Sequence, residues 1–116
     1  MATHLCRLDE LDATGAKGVT LELGGNRRRE LVVVRDGGAI RAYENNCPHL
    51  QITLEARPDR FLDEDGRHLV CSMHGARFAV GDGFCVSGPC EGAWLKAVAV
   101  RVEGAAVWLT DAGTTG

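Results

Sequence analysis

Hydrophobic positions along this chain come in short runs, and no window keeps a helical period for three turns. The alternating or apolar runs are Leu5–Leu8, Val19–Leu23, Glu30–Arg35, Ala39–Glu44, His68–Cys71, Arg77–Ala79, Cys85–Val86, Ala97–Val102 and Ala105–Thr110. Glycine-rich punctuation separates them: Gly24-Gly25-Asn26, Asp36-Gly37-Gly38, Asp65-Gly66, Gly81-Asp82-Gly83 and Glu103-Gly104. Such residues make the tight turns of antiparallel hairpins. The pattern predicts an all-β fold of short antiparallel strands. One helical turn is expected at Leu8–Leu11 and a short helix at Ile52–Glu55. A chain of 116 residues fits a single domain over 1–116.

Charge changes the picture little. Sixteen acidic residues against 13 basic ones give a net charge of −3, which argues against nucleic acid as the main partner. No apolar run is long enough for a transmembrane helix. The start, Met1-Ala2-Thr3-His4-Leu5-Cys6-Arg7, does not read as a signal peptide, so a cytoplasmic location is expected.

The chemistry sits in two pairs. Cys47-Pro48-His49 is a C-x-H pair and Cys71-Ser72-Met73-His74 a C-x-x-H pair. Two thiolates and two imidazoles suit either a tetrahedral zinc ion or an iron–sulfur cluster. Zinc fingers commonly place Cys with Cys and His with His, whereas each segment here offers one of each. Three further cysteines remain. Cys6 reads as a small core residue, and Cys85 and Cys90 bracket Val86-Ser87-Gly88-Pro89, where packing is the plainest role.

With their flanks, Asn46-Cys47-Pro48-His49-Leu50 and His74-Gly75-Ala76-Arg77-Phe78, the two pairs resemble the cluster-binding loops of Rieske [2Fe–2S] proteins, in particular Rieske-type ferredoxins. The resemblance implies stacked antiparallel sheets with a small cluster-binding subdomain at about 45–92, and a closing hairpin at Ala97–Leu109 that pairs with the N-terminal strands. It implies one iron held by Cys47 and Cys71 and the other by His49 and His74. Gly75 would turn the second loop tightly, and Pro89 in Ser87-Gly88-Pro89 would cover the cluster. Neutral imidazoles raise such a cluster's potential from about −400 mV to between roughly −150 and +300 mV.

Departures refine that expectation. High-potential respiratory members carry an extra cysteine in each loop, and Ser and Tyr hydroxyls just beyond the second. Here those hydroxyl places hold Ala76 and Phe78, which points to the lower part of the range. Leu50 to Val70 spans 21 residues, a few more than a compact ferredoxin needs. The excess falls in Arg57–Arg67, expected as a solvated loop ending in a polar turn, with a charged collar as the alternative. Asp63, Glu64, Glu55 and Arg77 are then candidate rim charges. Leu50, Met73, Pro89 and Trp94 would form an apolar rim around the exposed His49–His74 edge. Arg27-Arg28-Arg29 reads as a solvated hairpin tip, with a docking patch second.

No Gly-x-Gly-x-x-Gly follows a strand, so there is no sign of a dinucleotide site. Beyond the two pairs only His4 and His68 remain, one near the terminus and the other just before a ligand segment, and 116 residues are not expected to hold the further domain that carries an oxygenase's mononuclear-iron triad. The expected function is a soluble one-electron carrier, not itself an enzyme. A flavin-dependent reductase would reduce it, and a terminal oxygenase or reductase would draw the electron. Two other readings stay open: an accessory small subunit like that of assimilatory nitrite reductase, and a metal-ordered, non-redox interaction module.

Overall fold

The protein is described from a computed structural model, over residues 3–12, 15–25, 27–45, 61–63, 66–71, 75–88 and 92–110. Among these residues nine strands run in chain order: β1 Thr3–Arg7, β2 Ala16–Gly24, β3 Arg27–Asp36, β4 Ala39–Glu44, β5 His68–Val70, β6 Arg77–Ala79, β7 Cys85–Ser87, β8 Val100–Glu103 and β9 Ala106–Leu109. They form three antiparallel sheets, β1-β9-β8, β2-β3-β4 and β5-β6-β7. A single 3₁₀ turn at Leu8–Leu11 is the helical element among the described residues. The expected helix at 52–55 lies outside them.

The centre of the architecture is β3. Leu31, Val32, Val33 and Val34 are all fully buried, so the middle of this strand has no solvent face. Side chains alternate across a strand, and each face of β3 meets a different core. Leu31 and Val33 pack with Cys6, Leu11, Ala42, Val107 and Leu109 toward β1 and β9. Val32 and Val34 pack with Tyr43, Leu69, Phe78, Cys85 and Leu95 toward the small β5-β6-β7 sheet. Cys6 is buried among apolar neighbours, as a core residue should be.

The closing hairpin behaves as expected, with β8 pairing β9 and β9 pairing β1. The run expected as one strand over 97–102 divides, however. Only residues from Val100 onward join that hairpin. Residues 93–98 instead staple two sheets together. Cys85 N–H donates to Ala93 O and Leu95 N–H to Gly83 O on the small-sheet side, while Glu44 N–H donates to Lys96 O and Val98 N–H to Ala42 O on the β4 side. Buried Tyr43 adds a pin, its hydroxyl donating to the Val80 carbonyl at 2.7 Å. Burial, the largest influence, pushes this phenol up to about 12.

The segment 57–67 departs from the expectation of a solvated loop where it is described. Phe61 is buried in the core and Leu62 packs against it. Leu62 bridges Leu69, and Val70 N–H donates to Phe61 O at 2.7 Å, so 61–63 runs as a short edge beside β5. Two large apolar side chains inside a polar run bury here because β5 would otherwise expose its outer edge.

Candidate metal centre

Of the residues singled out by sequence, Cys71, Gly75, Ala76 and Phe78 are described, whereas Cys47, His49, His74 and Pro89 lie outside the described residues, as do Leu50, Met73 and Cys90. Among the described residues no group of three His, Cys, Asp or Glu side chains gathers as a metal site.

Cys71 directly follows β5 and is fully buried. Its N–H donates to Ala76 O at 2.9 Å, and its own carbonyl accepts from Gly75 N–H at 2.8 Å. These bonds close a tight loop between β5 and β6, which Gly75 permits by its φ of +70°. A thiol held in a closed loop, shielded from water and set against an apolar core, suits a metal thiolate that must not exchange with solvent.

The other root of the site is equally fixed. Asn45, the last described residue before Cys47, is buried, and its N–H donates to Glu30 O at 2.8 Å. Beside it, Glu44 Oε2 accepts from Arg29 Nη2 at 2.7 Å and Nε at 3.0 Å. Arg29 is therefore committed to β4, and the Arg27–Arg29 run is not three solvated charges.

A third segment closes over the loop of Cys71. Gly88 has a φ of +97°, and a Cβ placed there would stand 2.6 Å from Ala76 Cα. The chain thus presses backbone to backbone on the residue that pairs with Cys71. Gly-Pro at 88–89 signalled a turn; nothing in the sequence signalled this contact. Below it, Cys85 Sγ donates to Ser87 O at 3.2 Å. Ala76 and Phe78 are both fully buried and bring no hydroxyl to this region.

The expected rim divides. Trp94 is 57 % exposed and stacks edge-on against Phe84, with centroids 4.7 Å apart, so it is a surface residue. Asp63 is not a free rim charge. Its side chain is only 7 % exposed and its carboxylate is taken up by Arg67, His68 and Arg77.

No curated protein matches the chain in sequence. Among solved structures, it is similar to the ferredoxin of carbazole 1,9a-dioxygenase from Nocardioides aromaticivorans IC177, with a TM-score of 0.70 and 26% identity over 94% of this chain and 96% of that one. A chain in the complex of reduced oxygenase and oxidized ferredoxin in carbazole 1,9a-dioxygenase matches with a TM-score of 0.69 and 25% identity, over 93% of this chain and 91% of that one. The terminal oxygenase of carbazole 1,9a-dioxygenase from Novosphingobium sp. KA1 shares the fold at a TM-score of 0.70 and 22% identity, but 93% of this chain covers only 29% of that one. The family model of the Rieske [2Fe-2S] domain matches residues 2–105, from the first strand to the closing hairpin, and the chain belongs to that family.

Proposed function

We propose that this chain is a one-electron carrier, the ferredoxin component of a system that ends in an oxygenase. The observation that carries this reading is the end-to-end likeness to a ferredoxin. The chain matches that protein at 26% identity, over 94% of this chain and 96% of that one. Similarity to a chain in an oxygenase–ferredoxin complex supports a terminal oxygenase as the acceptor.

Cys47, His49, Cys71 and His74 are the four side chains that would hold the cluster, within a subdomain of about 45–92 in a single domain. When bound, a Rieske-type [2Fe–2S] cluster supplies a store for one electron. The chain's own contribution is to hold that store still and dry. The buried Cys71 excludes water, and the bonds between Cys71, Gly75 and Ala76 fix its loop. The pairs Arg29–Glu44 and Asn45–Glu30 fix the segment that leads to Cys47. Rigid supports limit rearrangement when the charge of the site changes.

No described helix is long and apolar enough to cross a membrane. A cytoplasmic place beside a flavin-dependent reductase fits this reading. The test is spectroscopic. Protein purified anaerobically should show the visible spectrum of a [2Fe–2S] cluster, and on reduction an EPR signal with an average g below that of an all-cysteine ferredoxin. Given a flavin-dependent reductase and NADH it should take up one electron per chain, and release it to an oxygenase. Zinc in place of iron and sulfide would overturn the reading, as would substrate turnover by the isolated chain.

A further inference from the structure

The Asp63 carboxylate binds three residues, Arg67, His68 and Arg77, and all of them belong to the root of one loop. Oδ1 accepts the backbone N–H of Arg67 at 3.1 Å and of His68 at 3.3 Å. Oδ2 lies 2.8 Å from His68 Nδ1 and accepts from Arg77 Nη1 at 2.9 Å. The backbone of Asp63 joins in, with its N–H donating to His68 O and its carbonyl accepting from Gly66 N–H.

These partners map onto three elements. Arg67 belongs to the turn after 61–63, His68 opens β5, and Arg77 opens β6. β5 runs into Cys71, and β6 begins immediately after Ala76, the residue paired with Cys71. One carboxylate thus ties together the strand that enters the loop and the strand that leaves it.

The carboxyl is held below the usual range. Burial works against its charged form, but the hydrogen bonds from the His68 ring and from the Arg67 and His68 amides outweigh that. Asp63 faces Arg77 as a close ion pair, one partner buried and the other 47 % exposed. Such a pair is nearly neutral from a distance, and losing either member uncovers the other. His68 stands three residues from Cys71, about 10 Å along an extended strand. Over that distance a partly buried charge is still felt.

We propose that Asp63 is a positioning residue for the loop of Cys71, fixing both of its roots through one carboxylate and balancing Arg77 so that the site's potential is set without a stray charge. This rests on the reading of Cys71 as a cluster ligand. Its chemistry is specific to aspartate. Asparagine keeps the shape but cannot accept from His68 and Arg77 together as an anion, and glutamate is one methylene too long for the turn.

The experiment compares holoprotein carrying Asp63→Asn or Arg77→Gln with the wild type, by potentiometric titration and by the rate of cluster bleaching on warming. Asp63→Asn is expected to raise the midpoint potential and speed bleaching several-fold. Arg77→Gln is expected to lower the midpoint, by less because Arg77 is half-exposed. Midpoints that stay put, or that move in the same direction, would overturn the proposal and leave Asp63 a structural clip. If Asp63→Asn does not fold, Arg77→Gln alone decides, since an unchanged midpoint there refutes the charge balance. A wild-type protein without a [2Fe–2S] cluster would refute the cluster reading first, and this inference with it.

Discussion

Replacing Gly88 by alanine tests the contact that seals the loop of Cys71. Two costs add. Gly88 has a φ of +97°, a conformation that strains any residue with a Cβ by about 1–3 kcal/mol. The new methyl would also stand 2.6 Å from Ala76 Cα and 3.1 Å from Ala76 N, so backbone must move. Overpacking of this kind costs about 1–3 kcal/mol more. A combined loss of about 3–4 kcal/mol should lower Tm by about 10–20 °C. Gly104→Ala is the control. Gly104 has a φ of +63° in the β8–β9 turn with nothing within 4 Å of its missing Cβ, so it suffers strain alone. Thermal unfolding of both variants, followed by circular dichroism, separates the clash from the strain. The relief route for Gly88→Ala is outward movement of the 87–88 backbone. Its cluster should therefore bleach in air faster than that of the wild type, while Gly104→Ala should match the wild type. Equal Tm losses for the two variants would refute the close approach as a source of stability. Unchanged bleaching in Gly88→Ala would refute its role as a seal.

Further outcomes follow from other contacts. Tyr43→Phe leaves the buried Val80 carbonyl without its donor and should cost about 1–3 kcal/mol in urea unfolding. Because the folded phenol titrates near 12 instead of 10, the wild type keeps this contribution below pH 10 and loses up to about 3 kcal/mol as pH rises through 12; Tyr43→Phe should lack that loss. The midpoint near neutral pH should lie between about −150 and 0 mV, and Ala76→Ser should raise it by offering a hydroxyl; a wild-type value above about +150 mV would show that other donors dominate. Replacing His49 or His74 by alanine should abolish the native visible spectrum, whereas Cys6→Ala, inside the distant β1–β9 core, should leave it intact.

Much of this fold was legible because turns announce themselves. β4 and β6 have the bounds their glycine punctuation implied, and the 3₁₀ turn at Leu8–Leu11 falls where expected. What stayed hidden depends on partners distant in sequence. Leu31-Val32-Val33-Val34 reads as a strand, but its burial on both faces appears only when two sheets close on it. The stapling role of 93–98 is a matter of backbone bonds to two sheets, which side-chain pattern does not encode. Phe61 and Leu62 were the signal that the charged stretch was anchored, since a wholly solvated loop has no use for both. For the site, residue types and spacing named the chemistry. They could not reveal that Gly88 touches Ala76, or that Asp63 looks inward, because both depend on segments brought together by folding.

The polar groups near Cys71 are distributed in a way that bears on function. At the described base of the loop, Ala76 and Phe78 are buried and apolar, with Gly88 packed against the Ala76 backbone. The described charged and hydrogen-bonding side chains brace the same roots, as Arg29–Glu44 before the first pair and Asp63–His68–Arg77 around the second. A hydroxyl aimed at a cluster sulfur favours the reduced state and lifts the potential directly. A clamp at the root fixes geometry while leaving the sulfurs without that extra donor. An electron carrier gains from such bracing, since its loops can be rigid without its potential being driven high. The exposed ring of Trp94, in the 93–98 segment, packs edge-on against Phe84, so the chain also keeps an aromatic surface beside the small sheet. Polar clamps and buried apolar residues thus share the roots of the loop, where Ala76 and Phe78 brace Cys71 without offering a hydroxyl, and that placement is what the expected low midpoint tests.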